Sequence, residues 1–285
     1  MSKIIITTDS TADVTPELAE KYNIRVVPLH VLYGFEDFHD GEDIDPEYIL
    51  KRYEEKKELP STSAVTPDGY RKFFKKLFRE GYSEIVHIAF ASDMSSTYQN
   101  AVITAQDFDG KIHVIDSRVL SCGQLLLAIR ACELRDMGLS ASHIADSVRS
   151  LVDKNVGGFV LSQLEFLHKG GRCSSVSLLG ANLLNIKPSI VVADGAMTVA
   201  KKYRGRDEDV RLKYMKDRIE EYKDRIDTRR IILHTTCDFS DKDKKFYKKE
   251  LKKLIECDEI IVSTAGCVIT SHCGPGTFAL FFMTK

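Results

Sequence analysis

The feature that most constrains this chain is a rhythm. Short runs dense in β-branched residues, at 3–7, 84–90 and 111–115, recur with helix-length segments between them, and each run ends in a loop of small and hydroxylated residues. Apolar runs of this length without alternation suit strands covered on both faces, as in a parallel sheet. Parallel strands need long return connections, which helices supply. The first half therefore reads as a mainly parallel, doubly wound α/β sheet, with a further strand at 25–32. Helices are expected after the Thr15-Pro16 start and at 47–55, 68–78, through about 106, 120–137 and 140–153. Thr15 followed by Pro16 is a favourable helix start, because proline fits the first helical position.

From about 156 the pattern changes. Strands are expected at 158–161, 186–193 and 198–203, with Asp194-Gly195 as a hairpin turn between the last two. A helix at 206–225, a strand at 229–235, a helix at 240–257 and a strand at 259–263 follow. The chain closes in two apolar runs around 271–276, with Cys267 read as part of a strand. The fold class is α/β: two α/β domains, the first a mainly parallel doubly wound sheet, the second a mixed sheet with helices. A chain of 285 residues accords with two domains, placed at 1–155 and 156–285.

Composition removes several classes of function. Lys and Arg number 41 against 42 Asp and Glu, so the chain lacks the basic surplus of a general nucleic-acid binder. The clearest basic stretch, at 241–253, reads as the solvated face of a helix. No apolar run is long enough to span a bilayer, and MSKIIITTDS is too short and polar for a signal peptide, so the expected location is cytoplasmic. Seven cysteines form no CxxC pair. A zinc site built from Cys237, Cys267, His272 and Cys273 fits no standard ligand spacing. The acidic turn at 41–46 lacks the spacing of an EF-hand loop and suits a helix N-terminus instead. The chain also lacks GxGxxG, GxxxxGK[ST] and GxSxG, so no dinucleotide, P-loop or nucleophile-elbow signature is present.

The stretch 164–188, LEFLHKGGRCSSVSLLGANLLNIKP, carries the most specific local signal. A helical turn breaks at Gly170-Gly171, where the backbone can take angles closed to other residues, and Arg172 follows. A helix is expected to restart at Ser174 or Ser175, with Val176, Leu178, Leu179, Leu183, Leu184 and Ile186 forming an apolar surface too wide for one stripe. A cation on a glycine hinge beside such a surface suits a ligand with an anionic head and an apolar body. It equally describes a helix cap, a surface arginine and an ordinary core helix.

Three hydroxyl-rich loops, at Ser10, Thr62 and Ser95, stand at strand ends, where α/β folds bind ligands. Hydroxyls can hold a carboxyl group by hydrogen bonds without a buried counter-charge. An apolar tail would then supply most of the affinity, at about 0.8 kcal/mol per buried CH2. Taken singly, Thr62, Ser92 and Ser95 could equally cap helices, His272 could be a core histidine, and Asp9 could cap the first helix, close its loop or reach the cleft.

Taken in order, these motifs resemble the DegV family of bacterial fatty-acid-binding proteins. The resemblance lies in TDST at 8–11, Thr62-Ser63, the SxxSxTYQ run at 92–99, VIDS at 114–117, LEFLHKGGR at 164–172, LLNIKP at 183–188 and HCGPG at 272–276. It implies one long-chain fatty acid held between two domains, with no cofactor and no catalysis by the chain itself. Thr62, Ser63 and a serine of the SDMSS loop, Ser95 or alternatively Ser92, would hold the carboxyl group. Arg172, His272 and Gly274 would stand at its exposed end. There the acid would be presented to a fatty acid kinase catalytic subunit, which makes an acyl phosphate for phospholipid synthesis. Transient peripheral contact with a membrane is compatible with such a role. The family's Gln-Pro after Thr-Ser is replaced here by Ala64-Val65, and its glycines in the serine loop by Asp93 and Ser96. Two other classes can be drawn from the same residues: an acyl hydrolase with Ser95 as nucleophile and His272 as base, and a small-molecule phosphate-binding protein or kinase using the strand-end loops.

Overall fold

The computed structural model describes residues 3–173 and 186–285. The helix expected to restart at Ser174 or Ser175, and the apolar positions from Val176 to Leu184, lie outside the described residues. The architecture is mixed α/β, with one parallel sheet and one mixed sheet. Strands β1 (Ile4–Asp9) and β2 (Ile24–Val27) pair in parallel. Strands β3 (His30–Tyr33), β4 (Glu36–His39) and β5 (Ser61–Ser63) form a small antiparallel sheet in the order β4-β3-β5. Strands β6 (Glu84–Ala89) and β7 (Ile112–Asp116) complete a four-stranded parallel sheet, β2-β1-β6-β7. In the second half, β8 (Asn155–Val160), β9 (Ile186–Ala193), β10 (Ala196–Arg204), β11 (Ile226–Thr235), β12 (Glu259–Thr264) and β13 (Phe278–Thr284) form a sheet ordered β10-β9-β8-β13-β11-β12. Only its β11/β12 pair is parallel. The hairpin turn falls at Asp194-Gly195 as expected, with φ of 51° and 76°, the backbone that joins two strands most tightly.

The α-helices among the described residues are α1 (Pro16–Tyr22), α2 (Pro46–Lys56), α3 (Pro67–Arg79), α4 (Thr97–Ala105), α5 (Cys122–Asp136), α6 (Ala141–Arg149), α7 (Glu165–Gly170), α8 (Asp207–Tyr222), α9 (Asp241–Leu254) and α10 (Cys267–Cys273). Their starts follow local chemistry. Thr15, Asp45, Thr66, Ser140 and Ser240 each accept a backbone N–H of the helix that follows, satisfying donors that have no partner inside the helix. No helix among the described residues is long and apolar enough to cross a membrane.

Two expectations are corrected. The run at 25–32 is two strands in two sheets, because Pro28 offers no N–H to continue a ladder. The chain turns there, and Leu29 N donates instead to Ser10 Oγ at 3.0 Å. Cys267, read as part of a strand, opens helix α10. Its neighbours Val268, Ile269 and Thr270 have strand-like side chains, but α10 is buried on nearly every side and shows no helical periodicity. Tertiary contacts override propensity in such a segment.

Helix α5 sets the arrangement. Leu125, Leu127, Ala128, Ile129, Ala131 and Cys132 have no exposed surface. The helix packs against β1 and β6 of the parallel sheet and against β8 and β13 of the mixed sheet. One apolar cluster therefore runs from Ile6 and Val86 through α5 to Phe159 and Phe281. The polar Gln124 within it is fully satisfied: its Nε2 donates to Thr8 Oγ1 at 2.7 Å and Ile88 O at 3.0 Å, and its Oε1 accepts from Thr11 Oγ1 at 2.9 Å. Leu127→Ala should cost about 2–5 kcal/mol, the range for deleting a buried leucine side chain. Urea unfolding followed separately by probes in each half should show both midpoints falling together. A shift confined to one half would mean that the two sheets do not share this core.

Candidate functional site: a cavity with a hydroxyl and imidazole end

A cavity of about 240 Å³ lies where the loops after β6 and β7 meet β5, β10, α7 and α10. Its apolar lining comes from Leu29, Phe90, Met94, Leu120, Leu167, Met197, Val268 and Ile269. Its polar lining comes from Thr62, Ser63, Ser95, Ser96, Arg172 and His272, with Ala64 and Cys273 beside them. Residues far apart in the chain thus meet at the carboxyl end of a parallel sheet, where open α/β sheets bind their ligands.

Thr62 is held by the small sheet, its backbone paired with Val31 of β3. Its Oγ1 lies 2.8 Å from His272 Nε2, in the last turn of α10. His272 is half-buried, and its Nδ1 is inaccessible and has no hydrogen-bond partner among the described residues. Burial, aided by the positive charge of Arg172, lowers its imidazole to about 4, so the ring is neutral at physiological pH. The ring packs against Gly170, where a Cβ would land on Nδ1. That close approach is a specific need for glycine at 170. At 171 the need is conformational, since Gly171 closes α7 with φ of 70°. Arg172 follows, exposed, with Nη1 donating to Gly170 O at 2.7 Å.

Ser95 Oγ accepts from Thr97 N at 3.2 Å and lies 2.9 Å from Thr97 Oγ1. A hydroxyl that accepts both of these bonds still has its own proton to donate. Ser92 does not line the cavity; its backbone N donates to Asp116 Oδ1 at 3.2 Å. Gly274 is also outside the lining. Its φ of 71° and the Phe166 ring, 2.5 Å from where a Cβ would stand, account for glycine there. Asp93 is exposed and rests against Gly195 of the hairpin turn, away from the cavity lining. Asp9 closes its own loop, while Thr15 caps the first helix: Asp9 is fully buried and accepts from Thr11 and from Phe90 N at 2.8 Å. Burial pushes its carboxyl above the usual range, against these bonds.

A profile of the DegV family, described as an uncharacterised protein family, matches residues 3–285. The chain belongs to the DegV family. A DegV domain-containing protein of Caldanaerobacter subterraneus is 32% identical over 292 residues, and one of Clostridium acetobutylicum 32% identical over 288, each covering 100% of both chains. Among solved structures, a DegV family protein from Thermus thermophilus described by its fatty acid binding aligns with a TM-score of 0.88 at 27% identity, covering 99% of this chain and 100% of that one. A Thermotoga maritima protein whose structure revealed a fatty acid binding function aligns at 0.85 and 26% identity, covering 100% of both. A stearic acid-binding protein from Eubacterium ventriosum aligns at 0.85 and 25% identity, covering 100% and 99%.

Sequence reading missed a buried polar cluster behind the cavity. Asp13 Oδ2 accepts from Ser121 Oγ at 2.5 Å and pairs with His234 Nε2 at 3.1 Å; His234 Nδ1 meets Cys122 Sγ at 3.2 Å. Ser121 and Cys122 are adjacent, but Asp13 lies 108 positions before Ser121 and His234 lies 112 after Cys122, so no local motif marks the cluster. Burial disfavours a charged His234, but the sulfur of Cys122 and the carboxylate of Asp13 outweigh it and raise the imidazole to about 10. The groups facing it are Asp13, Cys122, Ser121 and the Phe281 ring. Its stabilisation is therefore fully present below the ordinary value of 6.5 and is lost as pH rises from there through about 10. Thermal melts from neutral to alkaline pH should show a decline in this window that is reduced in His234→Gln. Parallel declines in the two proteins would contradict a charged His234.

Proposed function

We propose that this protein is a non-catalytic carrier that holds one long-chain fatty acid in the cavity and presents its carboxyl group to a separate ATP-dependent fatty acid kinase. The observation that carries this reading is the pairing, in one cavity, of an apolar wall with a cluster of neutral hydrogen-bonding groups at Thr62, Ser63, Ser95 and His272. The fatty acid binding stated for the Thermus and Thermotoga proteins, and the stearic acid binding of the Eubacterium protein, support it. In this reading Thr62 and Ser95 hold the carboxyl group and Phe90, Met94, Leu167 and Ile269 take the acyl chain. In this reading the chain divides into domains 1–155 and 156–285, with the acid between them. Exposed Arg172 stands at the carboxyl end, where a kinase would approach; the acyl phosphate would feed phospholipid synthesis in the cytoplasm, with transient membrane contact during loading. The carrier reading is favoured over a hydrolase because His272 Nδ1 meets Gly170, where a catalytic base would need an orienting carboxylate.

Mass spectrometry of the purified protein, native and after organic extraction, should find one fatty acid per chain. A protein that is empty and takes up no added fatty acid would overturn the reading. Thr62→Ala should weaken fatty acid retention by roughly 10- to 100-fold, the value of a hydrogen bond to a charged group. Arg172→Ala should keep the lipid and weaken productive docking of the kinase; loss of lipid with docking intact would reverse these roles.

A further inference from the structure

Helix α10 is seven residues long and carries His272 in its last turn. So short a helix leaves most of its N–H groups without partners inside it. The donors at its start are met by two carboxylates from the first half of the chain. Gly266 N donates to Asp13 Oδ1 at 2.7 Å, Cys267 N to Asp40 Oδ1 at 2.7 Å, and Val268 N to Asp40 Oδ2 at 3.3 Å. Asp13 is 5% exposed and Asp40 6%, and neither lines the cavity that holds His272.

Asp40 directly follows β4, and its own N–H donates to Leu29 O at 2.9 Å, beside β3. The small sheet β4-β3-β5 thus grips α10 at both ends: through Asp40 at the first turn and through Thr62 of β5 at His272. The helix is a strut of about 10 Å between these points, at about 1.5 Å per residue. Thr62 is fixed by the strand ladder regardless of α10, so the Thr62–His272 bond depends on where the helix begins.

We infer that Asp13 and Asp40 are positioning residues for the polar end of the cavity, pinning the start of α10 so that His272 stands against Thr62. The consequence for a bound acid rests on the carrier reading; the consequence for His272 does not. Asp13 has His234 as counter-charge, whereas Asp40 has no ion pair among the described residues and is held by the N–H groups of Cys267 and Val268, with the Ser10 hydroxyl and the Cys267 thiol beside it. Burial raises the Asp40 carboxyl, opposed by its bond from Cys267 N.

Two variants test this. Asp40→Asn keeps one acceptor oxygen and turns an NH2 group toward a backbone N–H. Gly266→Ala removes no polar group, but its Cβ would stand 3.2 Å from Asp13 Oδ1 and 3.3 Å from Asp40 Oδ1, pushing both pins outward. In the folded variants the NMR titration of the His272 ring should move up from about 4 toward the ordinary 6.5. Release of a bound fluorescent fatty acid should quicken by about fivefold or more, the scale of one weakened hydrogen bond. A purely structural role would lower the melting temperature and leave the His272 titration where it was. An unmoved titration in both folded variants would overturn the inference, and if Asp40→Asn does not fold, Gly266→Ala alone decides it. If the unmodified protein takes up no fatty acid, the carrier reading fails, while the His272 titration still decides the positioning role.

Discussion

The structure depends on a helix whose first half has no side open to water. Helix α5 lies between a parallel sheet and a mixed one, and its residues are buried on both faces. A helix in that position cannot be amphipathic, and its sequence CGQLLLAIRAC accordingly shows no stripe. Because one apolar cluster joins both sheets through it, the loops at the carboxyl ends of β6 and β7 are held in fixed relation to α7, α10 and β10. The cavity lies among those loops, so the packing that stabilises the fold also sets the geometry of its lining.

Polar groups at this junction are buried, and each is stabilised differently. Asp9 relies on neighbouring N–H and hydroxyl donors, Asp13 on the His234 cation and Ser121, and Asp40 on the backbone of α10. Removing one partner from any of these leaves a buried group unsatisfied, which costs more than the net value of the bond itself. Such groups stabilise little in sum but exclude alternative arrangements of the elements they join. That is the property a binding site needs from its supports.

The sequence showed some of this readily and some not at all. Strands β1, β6 and β7 were legible because a buried parallel strand is a continuous β-branched run, and α1 because Thr15-Pro16 starts a helix by local chemistry. The cavity residues Thr62, Ser95, Arg172 and His272 were reached through ordered motifs along the chain. The break at Pro28 was visible as a residue, but the transfer of 30–33 to another sheet was not, since it depends on partners at 36–39 and 61–63. The helical state of 267–273 was hidden because its caps come from Asp13 and Asp40, more than 220 residues away. Periodicity reports which side of an element faces water, and α10 and the first half of α5, Cys122 to Ile129, have almost no such side.

The choice of neutral groups at the polar end has a consequence for a carrier. A buried arginine fork would hold a carboxylate by two charge-assisted bonds and would resist letting it go. In the proposed carrier reading, hydroxyls at Thr62 and Ser95 and a neutral His272 would orient the same group with single hydrogen bonds, while the acyl chain would supply affinity through its length. Orientation and retention are then set by different parts of the ligand. Burial that keeps the imidazole neutral also keeps the polar end from acting as a fixed positive site. In that reading the exposed guanidinium of Arg172 would put a positive charge where a partner could meet it, and a group whose carboxyl end is held lightly in this way could be modified without first being released.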